Sequence, residues 1–187
     1  MDADKERTKS RPVLETERLI LRRPDASDVG SIMVIAGDWE IARRLARVPH
    51  PYGEKDALFF LENVVPSEWV WAITLRASPE LVGMVGLSPD PSPDTAELGY
   101  YLGRGHWGLG IATEAAAAVV SFGMNVLDLR RITSGYFLDN PSSGRVLNKL
   151  GFVQTKHAER PCLATGVSAP SIEMHLVSVR NRKVRKY

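Results

Sequence analysis

Apolar and polar residues alternate through the middle of this chain, which is the pattern of strands with one buried face. The alternation predicts three strands, over residues 68–75, 81–87 and 96–102, joined by turns rich in Pro, Ser and Asp. Shorter apolar stretches are further strand candidates, at residues 19–23, 131–136, 152–156 and 172–177. The pattern therefore predicts about seven strands.

Helices are predicted between these strands from the helical spacing of apolar residues or from capping residues. They cover residues 29–36, 39–48, a segment beginning near residue 54, 112–126 and 141–150. The last has clear boundaries, since Asn140 can cap it, Pro141 stands at its first position and Gly151 follows its end. A three-strand meander combined with strand–helix–strand steps implies an α/β fold with a mixed sheet.

Length and composition suit one soluble domain, with 187 residues of which 44% are hydrophobic and 25% charged. The longest clean apolar run, at about residues 115–120, is far shorter than the ~20 residues of a membrane span. The start of the chain is polar, without a secretory signal, and the single Cys162 allows no intrachain disulfide. We expect a cytoplasmic protein with a flexible lead-in at 1–12, a domain at 13–179 and a basic tail at 180–187.

Charge is concentrated at the end of the chain. The net charge is +2, from 24 basic and 22 acidic residues, and five of the basic residues lie in the last eight positions. The rest of the chain therefore has a net charge of −3, which argues against a broad nucleic-acid surface on the domain. The tail itself is either a solvated chain end or a segment that docks on a ribosome or RNA.

Glycine marks the candidate chemistry, because five of the 15 glycines fall within residues 99–110, between a predicted strand and a predicted helix. Glycine lets a ligand approach the backbone, and the first turn of a helix offers free N–H groups and a partial positive charge. The segment therefore predicts a site for phosphates, against the alternative of a glycine-rich turn without a ligand.

Three phosphate-binding patterns can be compared with this segment. Gly103, Gly105 and Gly108 have the spacing of a dinucleotide loop, but such a loop opens the first strand–helix–strand unit and here a meander precedes it. A Walker A loop needs Gly-Lys followed by Ser or Thr, which the chain lacks. The third pattern, Trp107-Gly-Leu-Gly-Ile-Ala112, resembles the acetyl-CoA loop of the GCN5-related N-acetyltransferases (GNAT).

The resemblance extends over residues 14–178 and is most specific to the RimJ/RimL branch of that superfamily. It is carried by residues 14–22, 96–102, 106–115 and 140–152, although Trp107 stands where the wider superfamily has Arg or Gln. The resemblance implies a GNAT-type α/β fold, with a mostly antiparallel twisted sheet of about seven strands and helices on both faces. It also implies acetyl transfer from acetyl-CoA to a primary amine by direct attack in a ternary complex.

The same resemblance assigns the coenzyme contacts. The phosphates would meet backbone N–H groups of the loop, and the pantetheine arm would pair with a strand edge that parts from its neighbour. For Asn140 the alternative is the helix cap alone. No metal is expected. The implied coenzyme-binding residues are Tyr100, Tyr101, Leu102, Trp107, Gly108, Leu109, Gly110, Ile111, Ala112, Thr113 and Asn140.

Two residues are candidates for proton transfer. Glu97 matches a glutamate that many family members carry near the reacting amine, and its alternative is an exposed strand carboxylate. Ser143 matches the RimL-type serine, whose hydroxyl would donate to the departing sulfur, and its alternative is a serine bonded to the start of its helix. Tyr52 belongs to a loop that borders the acceptor site in relatives, so it is a candidate substrate contact.

Two rival functions stay open on the sequence: an acyl-CoA sensor of the same fold, and a protein that docks on the ribosome through residues 180–187. The acceptor of an enzyme is either a protein N-terminal amine, as in ribosomal proteins, or a small-molecule amine. We expect no membrane partner, and a monomer or a homodimer.

Overall fold

The computed structural model describes residues 11–178. Its strands are β1 Leu14–Glu15, β2 Leu19–Arg22, β3 Trp69–Leu75, β4 Ser78–Pro89, β5 Thr95–Leu102, β6 Arg131–Phe137, β7 Val153–Cys162 and β8 Val167–Val177. Its α-helices are α1 Val29–Ala36, α2 Trp39–Ala42, α3 Glu54–Phe59, α4 Ile111–Asn125 and α5 Pro141–Lys149. Short 3₁₀ turns occupy Ala26–Asp28 and Arg104–His106, and a π-helical turn at Phe60–Val64 extends α3. None of the helices in this range is long and apolar enough to cross a membrane.

The strands form one open sheet of eight, in the order β1-β2-β3-β4-β5-β6-β8-β7. Neighbouring strands are antiparallel except β5 and β6, which are parallel. The mixed, mostly antiparallel sheet expected from the sequence is confirmed. The strand beyond the predicted seven is β1, whose two residues are too few for an alternating pattern to reveal.

Helices cover both faces of the sheet, and successive residues of β3 show how. Trp71 is buried in one cluster with Ala115 of α4 and Leu147 of α5. Val70, its neighbour in the chain, is buried in a second cluster with Ile32 of α1 and with α3. Because successive side chains of a strand point to opposite faces, α4 and α5 lie on one face and α1 and α3 on the other.

Three predicted elements have wrong bounds for a shared reason. Helix α2 ends at Ala42 instead of near residue 48, and β7 and β8 are ten and eleven residues long instead of five and six. The N–H of Leu163, in the β7–β8 turn, donates to the C=O of Ala46 at 3.1 Å. The segment after α2 therefore accepts a backbone hydrogen bond from a distant hairpin, a contact that no local sequence pattern indicates.

The start of the described chain packs firmly onto the domain. Nη2 of Arg11 donates to the carbonyls of Val65 at 2.8 Å and Glu68 at 2.5 Å, and its guanidinium lies over the Trp71 ring. The Trp71 indole N–H in turn donates to the C=O of Pro12 at 2.8 Å. Residues 11 and 12, expected in the lead-in, therefore belong to the packed domain. The rest of the lead-in and the tail at 180–187 lie outside the described residues.

Candidate active site

Strands β5 and β6 part from each other halfway along β5. They pair only from Thr95 opposite Arg131 to Glu97 opposite Thr133. Beyond this point β5 continues beside β4, and β6 continues beside β8. The two parallel strands therefore enclose a cleft between residues 98–102 and 134–137. At its apex the hydroxyl of Ser134 donates to the C=O of Leu98 at 2.9 Å.

The phase of the β4–β5 ladder shows which backbone groups face this cleft. The N–H of Gly103 donates to the C=O of Val82 at 2.9 Å, and the C=O of Thr95 accepts from Asp90 at 3.2 Å. Backbone groups of an antiparallel strand alternate between its two sides, so the odd-numbered residues of β5 bond β4 and the even-numbered ones face β6.

Tyr100 is therefore the residue whose backbone is open to the cleft. The C=O of Leu98 is occupied by Ser134, and the C=O of Leu102 accepts from the indole N–H of Trp107 at 2.8 Å. The N–H and C=O of Tyr100 and the N–H of Leu102 have no partner strand within residues 11–178. A ligand with amide groups can pair with this edge as a short extra strand.

The glycine-rich loop lies at the start of α4. Gly108 and Gly110 have φ angles of +76° and +79°, a region that glycine adopts without a steric penalty, and α4 begins directly after Gly110. The first N–H groups of a helix have no partner within it, so Ile111, Ala112 and Thr113 present donors at the positive end of the helix dipole. A Cβ at Gly108 would meet nothing within 4 Å, so the loop backbone is open to a ligand.

Side chains outside the predicted motif anchor this loop. Arg18 donates to the C=O of Leu109 at 2.9 Å and to the Glu114 carboxylate at 2.6 Å. Burial alone would raise the pKa of Glu114, but hydrogen bonds from Thr16 and Arg18 outweigh it and hold that pKa below its usual range. Arg18 adds a guanidinium beside the proposed phosphate site, and sequence reasoning missed it because its partners lie more than 90 residues away.

The start of α5 carries Asn140 and Ser143. The Asn140 side-chain oxygen accepts from the Ser143 N–H at 3.4 Å, so the predicted cap forms. The Asn140 amide nitrogen has no partner within the described range, so capping and a contact to a ligand do not exclude each other.

A hydrogen bond between Tyr100 and Ser143 joins β5 to α5. The Tyr100 hydroxyl lies 2.9 Å from Oγ of Ser143 and 3.0 Å from its carbonyl oxygen. Burial raises the pKa of Tyr100 to about 12, although the hydrogen bond to Ser143 opposes the shift. The family resemblance implies only a coenzyme contact for Tyr100. The signal for this second role was the strand alternation, which directs the Tyr100 side chain to the same face as Leu98 and Leu102, the face of α4 and α5.

Glu97 points to the opposite face, where Arg160 binds it. Nη1 of Arg160 donates to Oε1 of Glu97 at 2.6 Å, while Nε and Nη2 donate to Glu173 at 2.7 and 2.8 Å. The guanidinium lies on Gly135 of β6, where a Cβ would come within 2.9 Å of it. The hydrogen bonds that Arg160 donates to Glu173 raise the pKa of Arg160 above its usual range, with the Glu97 charge assisting and burial opposing the shift.

Tyr52 lies beside Tyr101, on the same face as Glu97. Burial, with a smaller contribution from Asp56, raises the pKa of Tyr52 to about 12. Burial and then the Tyr52 phenol raise the pKa of Tyr101 above its usual range. Between Tyr101 and Glu97 lies Gly99, where a Cβ would meet nothing within 4 Å. The surface between Tyr52, the predicted substrate contact, and Glu97, the predicted base, is therefore open at Gly99.

The structure thus places the predicted residues around one cleft, on its two faces. The loop and Ser143 belong to the face of α4 and α5, while Glu97 and Tyr52 belong to the opposite face. A coenzyme with phosphates and amides fits the first face, because free N–H groups, an open glycine backbone and an unpaired strand edge meet there. No group of three His, Cys, Asp or Glu side chains that could hold a metal ion occurs in residues 11–178.

Comparison with known proteins gives a consistent result. Residues 18–153 match the acetyltransferase (GNAT) domain family. The uncharacterized N-acetyltransferase YoaA of Bacillus subtilis (strain 168) is 32% identical over 147 residues, which cover 75% of this chain and 82% of that protein. The ribosomal-protein-serine acetyltransferase of Escherichia coli (strain K12) is 35% identical over 75 residues, 40% of this chain and 42% of that protein.

The fold agrees with this assignment. A GNAT-family acetyltransferase from Bacillus anthracis superposes with a TM-score of 0.78 at 20% identity, covering 89% of this chain and 98% of that one. The family match covers most of the domain and includes the glycine-rich loop and the parting strands. This chain therefore belongs to the GNAT family and is an acetyl-CoA-dependent N-acetyltransferase.

Proposed function

We propose that this enzyme acetylates a primary amine by direct attack on acetyl-CoA in a ternary complex. The observation that carries the proposal is the cleft between β5 and β6, which is open to both faces of the sheet because the two strands are not paired there. With the coenzyme on the face of α4 and the acceptor on the face of Glu97, both molecules can be bound at once. Transfer then needs no covalent intermediate on the protein.

The chain offers three kinds of contact to the coenzyme. Backbone N–H groups between Gly108 and Thr113 bind the phosphates, assisted by the helix dipole. Backbone groups of Tyr100 and Leu102 pair with the amides of the pantetheine arm, and the free amide nitrogen of Asn140 donates to the same arm. Bound acetyl-CoA supplies the thioester carbonyl that the amine attacks and the thiolate that leaves.

Glu97 is proposed to accept a proton from the acceptor nitrogen, directly or through water. Arg160 donates to one carboxylate oxygen of Glu97, while the other oxygen has no hydrogen-bond partner in residues 11–178. The Glu97 carboxylate lies on the same strand face as Gly99, where the surface is open. Arg160 is thus a positioning residue. An α-amine with a pKa of about 8 is roughly a tenth neutral at pH 7, whereas a lysine amine with a pKa of about 10.4 is less than a thousandth neutral. An α-amine therefore needs little help from Glu97.

Ser143 is proposed to donate a hydrogen bond to the departing sulfur, with Tyr100 orienting it. A thiol has a pKa of about 8.5, and burial raises the pKa of Tyr100 to about 12. Complete proton transfer from the phenol to the thiolate would therefore be unfavourable. The phenol instead has one proton and two acceptors on Ser143. When it donates to Oγ, the serine proton is free to turn toward the sulfur.

The acceptor that we propose first is a protein α-amine, since the name of the Escherichia coli relative assigns it a ribosomal-protein serine. Association with the ribosome through the basic residues at 180–187 is part of this proposal. A small-molecule amine is the second candidate, because the cleft is open at Gly99 and needs no macromolecular partner.

The test begins with calorimetric titration of acetyl-CoA into the full chain. Absence of binding at millimolar concentration would overturn the coenzyme site. Thiol release is then measured with peptide α-amines, lysine side chains, polyamines and aminoglycosides. We expect turnover with at least one class, whereas binding without turnover on any amine would identify a sensor. Removing residues 180–187 should abolish salt-dependent ribosome binding and leave turnover of a short peptide unchanged.

A further inference from the structure

A cavity of about 440 Å³ lies beside the end of β6, on the sheet face opposite α4 and α5. Its walls are mostly apolar and come from segments far apart in the chain. The apolar side chains are Trp39 of α2, Phe137 and Leu138 at the end of β6, and Val167 and Pro170 of β8. This volume lies within the range of small-ligand pockets.

The cavity adjoins the cleft in which acetyl transfer is proposed. Phe137 lies two residues beyond Gly135 on the same face of β6, a distance of about 7 Å along the strand. The guanidinium of Arg160 lies on Gly135. In the cavity wall, Asp139 directly precedes Asn140, the cap of α5. An acceptor whose nitrogen enters the cleft can therefore direct its next atoms into this cavity.

The charges around this space cancel each other. Arg43 and Asp139, the charged side chains in the cavity wall, form an ion pair. Arg160 pairs with both Glu97 and Glu173, and Lys156 lies near Glu173, so two cations offset these two carboxylates. An acceptor with several ammonium groups would find no surplus of negative charge, and its additional cations would lie against apolar walls at a cost in desolvation.

We infer that the acceptor is a primary monoamine that carries an aliphatic or aromatic group within about 7 Å of its nitrogen, with that group seated in this cavity. The inference rests on the proposed function and narrows its acceptor. A hydrophobic free amine and a peptide with a large apolar first side chain share this chemistry. Polyamines and aminoglycosides lack it.

Matched acceptors test the inference. Two peptides that differ only in their first residue, Phe or Ser, are compared by kcat/KM for thiol release, as are 2-phenylethylamine and spermidine. We expect the apolar member of each pair to be favoured at least tenfold, because even one methylene in an apolar pocket discriminates by about 10- to 200-fold. Equal or faster turnover of the serine peptide or of spermidine would overturn the inference. Comparing kcat/KM for the phenylalanine peptide with kcat/KM for 2-phenylethylamine then distinguishes a peptide acceptor from a free amine.

A cavity-filling variant locates the apolar group. Ala169 lines the cavity from β8, so Ala169→Phe should lower kcat/KM for the phenylalanine peptide about tenfold, mainly through KM, and leave the serine peptide within about threefold. Val153→Phe, at an exposed position of β7 outside the cavity, is the matched control. If Ala169→Phe does not fold, Trp39→Ala removes a half-exposed wall and should reduce the same preference. An equal loss of kcat/KM for both peptides would contradict binding of the apolar group in this cavity.

Measuring acetyl-CoA binding to each variant distinguishes a failure of the proposed function from a failure of the proposed acceptor class. Failure of the wild-type chain to bind acetyl-CoA, or to acetylate any amine, would overturn the proposed function. Intact binding together with efficient acetylation of polycations would overturn only the acceptor class.

Discussion

Tyr100→Phe removes one hydroxyl group from the contact that joins β5 to Ser143 on α5. The backbone of residue 100 is unchanged, so its proposed pairing with the pantetheine arm is retained. If Tyr100 acts by orienting the Ser143 hydroxyl, its loss can matter only while that hydroxyl is present. We therefore predict the loss of kcat in each single variant, Tyr100→Phe and Ser143→Ala, and also the loss in the double variant.

The expected magnitudes follow from the two hydrogen bonds. A hydrogen bond to a charged group is worth about 1.5–3 kcal/mol, so losing the bond from Ser143 to the developing thiolate should lower kcat about 10- to 100-fold. The bond between the Tyr100 hydroxyl and Oγ of Ser143, at 2.9 Å, joins two neutral groups. A neutral bond is worth about 0.5–1.5 kcal/mol, so Tyr100→Phe alone should lower kcat about 2- to 10-fold.

In the double variant, kcat should equal that of Ser143→Ala alone, because the tyrosine then has no serine hydroxyl to orient. The assay is thiol release at saturating acetyl-CoA and acceptor, with acetyl-CoA binding and the melting temperature measured for each variant. Tyr136→Phe is the matched control, since Tyr136 packs against the same helix at Gly144. Losses that multiply in the double variant would show that Tyr100 does not act through Ser143, and the orienting role would be rejected.

Three shorter predictions concern the base, the loop and alkaline stability. Glu97→Gln keeps an oxygen for Arg160 and removes the base, so the rise of kcat/KM between pH 6 and 9 should flatten; an unaltered profile excludes Glu97 from proton transfer. Gly110→Glu imposes a left-handed φ of +79° on a side chain and adds negative charge at the phosphates, so the Kd of acetyl-CoA should rise about tenfold or more. Gly30→Glu, on the exposed side of α1, should leave that Kd unchanged. Since burial raises the pKa of Tyr100 to about 12, both states keep the phenol proton below pH ~10 and only the unfolded state loses it between ~10 and ~12. The free energy of unfolding should therefore fall by up to about 1.4 kcal/mol per pH unit in that window, and urea titrations should show a smaller fall in Tyr100→Phe.

The sequence predicted those parts of the site that depend on neighbouring residues. The alternation over 96–102 predicted a strand, and the burial of Ala96, Leu98 and Leu102 in β5 agrees with it. The residues around Asn140 and Gly151 predicted both ends of α5, and the cap forms. The GNAT family and the acetyltransferase class are confirmed by the family match. The roles of Glu97, Ser143 and Tyr52 and a cytoplasmic location stay predictions.

The pairing of Glu97 with Arg160 could not be predicted in this way. The two residues are 63 positions apart, and Arg160 belongs to a polar, largely exposed edge strand that has no recognisable period. Its guanidinium reaches Glu97 only because Gly135, on a third strand, leaves room for it. Three segments have to be in place before this contact exists, so no single segment carries a signal for it.

The sequence by itself determined the family, the loop that begins α4 and most of the elements apart from β1 and the bounds of α2, β7 and β8, because capping, alternation and glycine conformations act over a few residues. The tertiary structure alone decided where β5 and β6 part. The alternating pattern of β5 is the same on both sides of Glu97, yet pairing stops there, because β6 follows β8 and β5 follows β4. The cleft is thus a property of strands that meet across the sheet, since backbone hydrogen bonds between strands depend on relative position and not on side-chain identity.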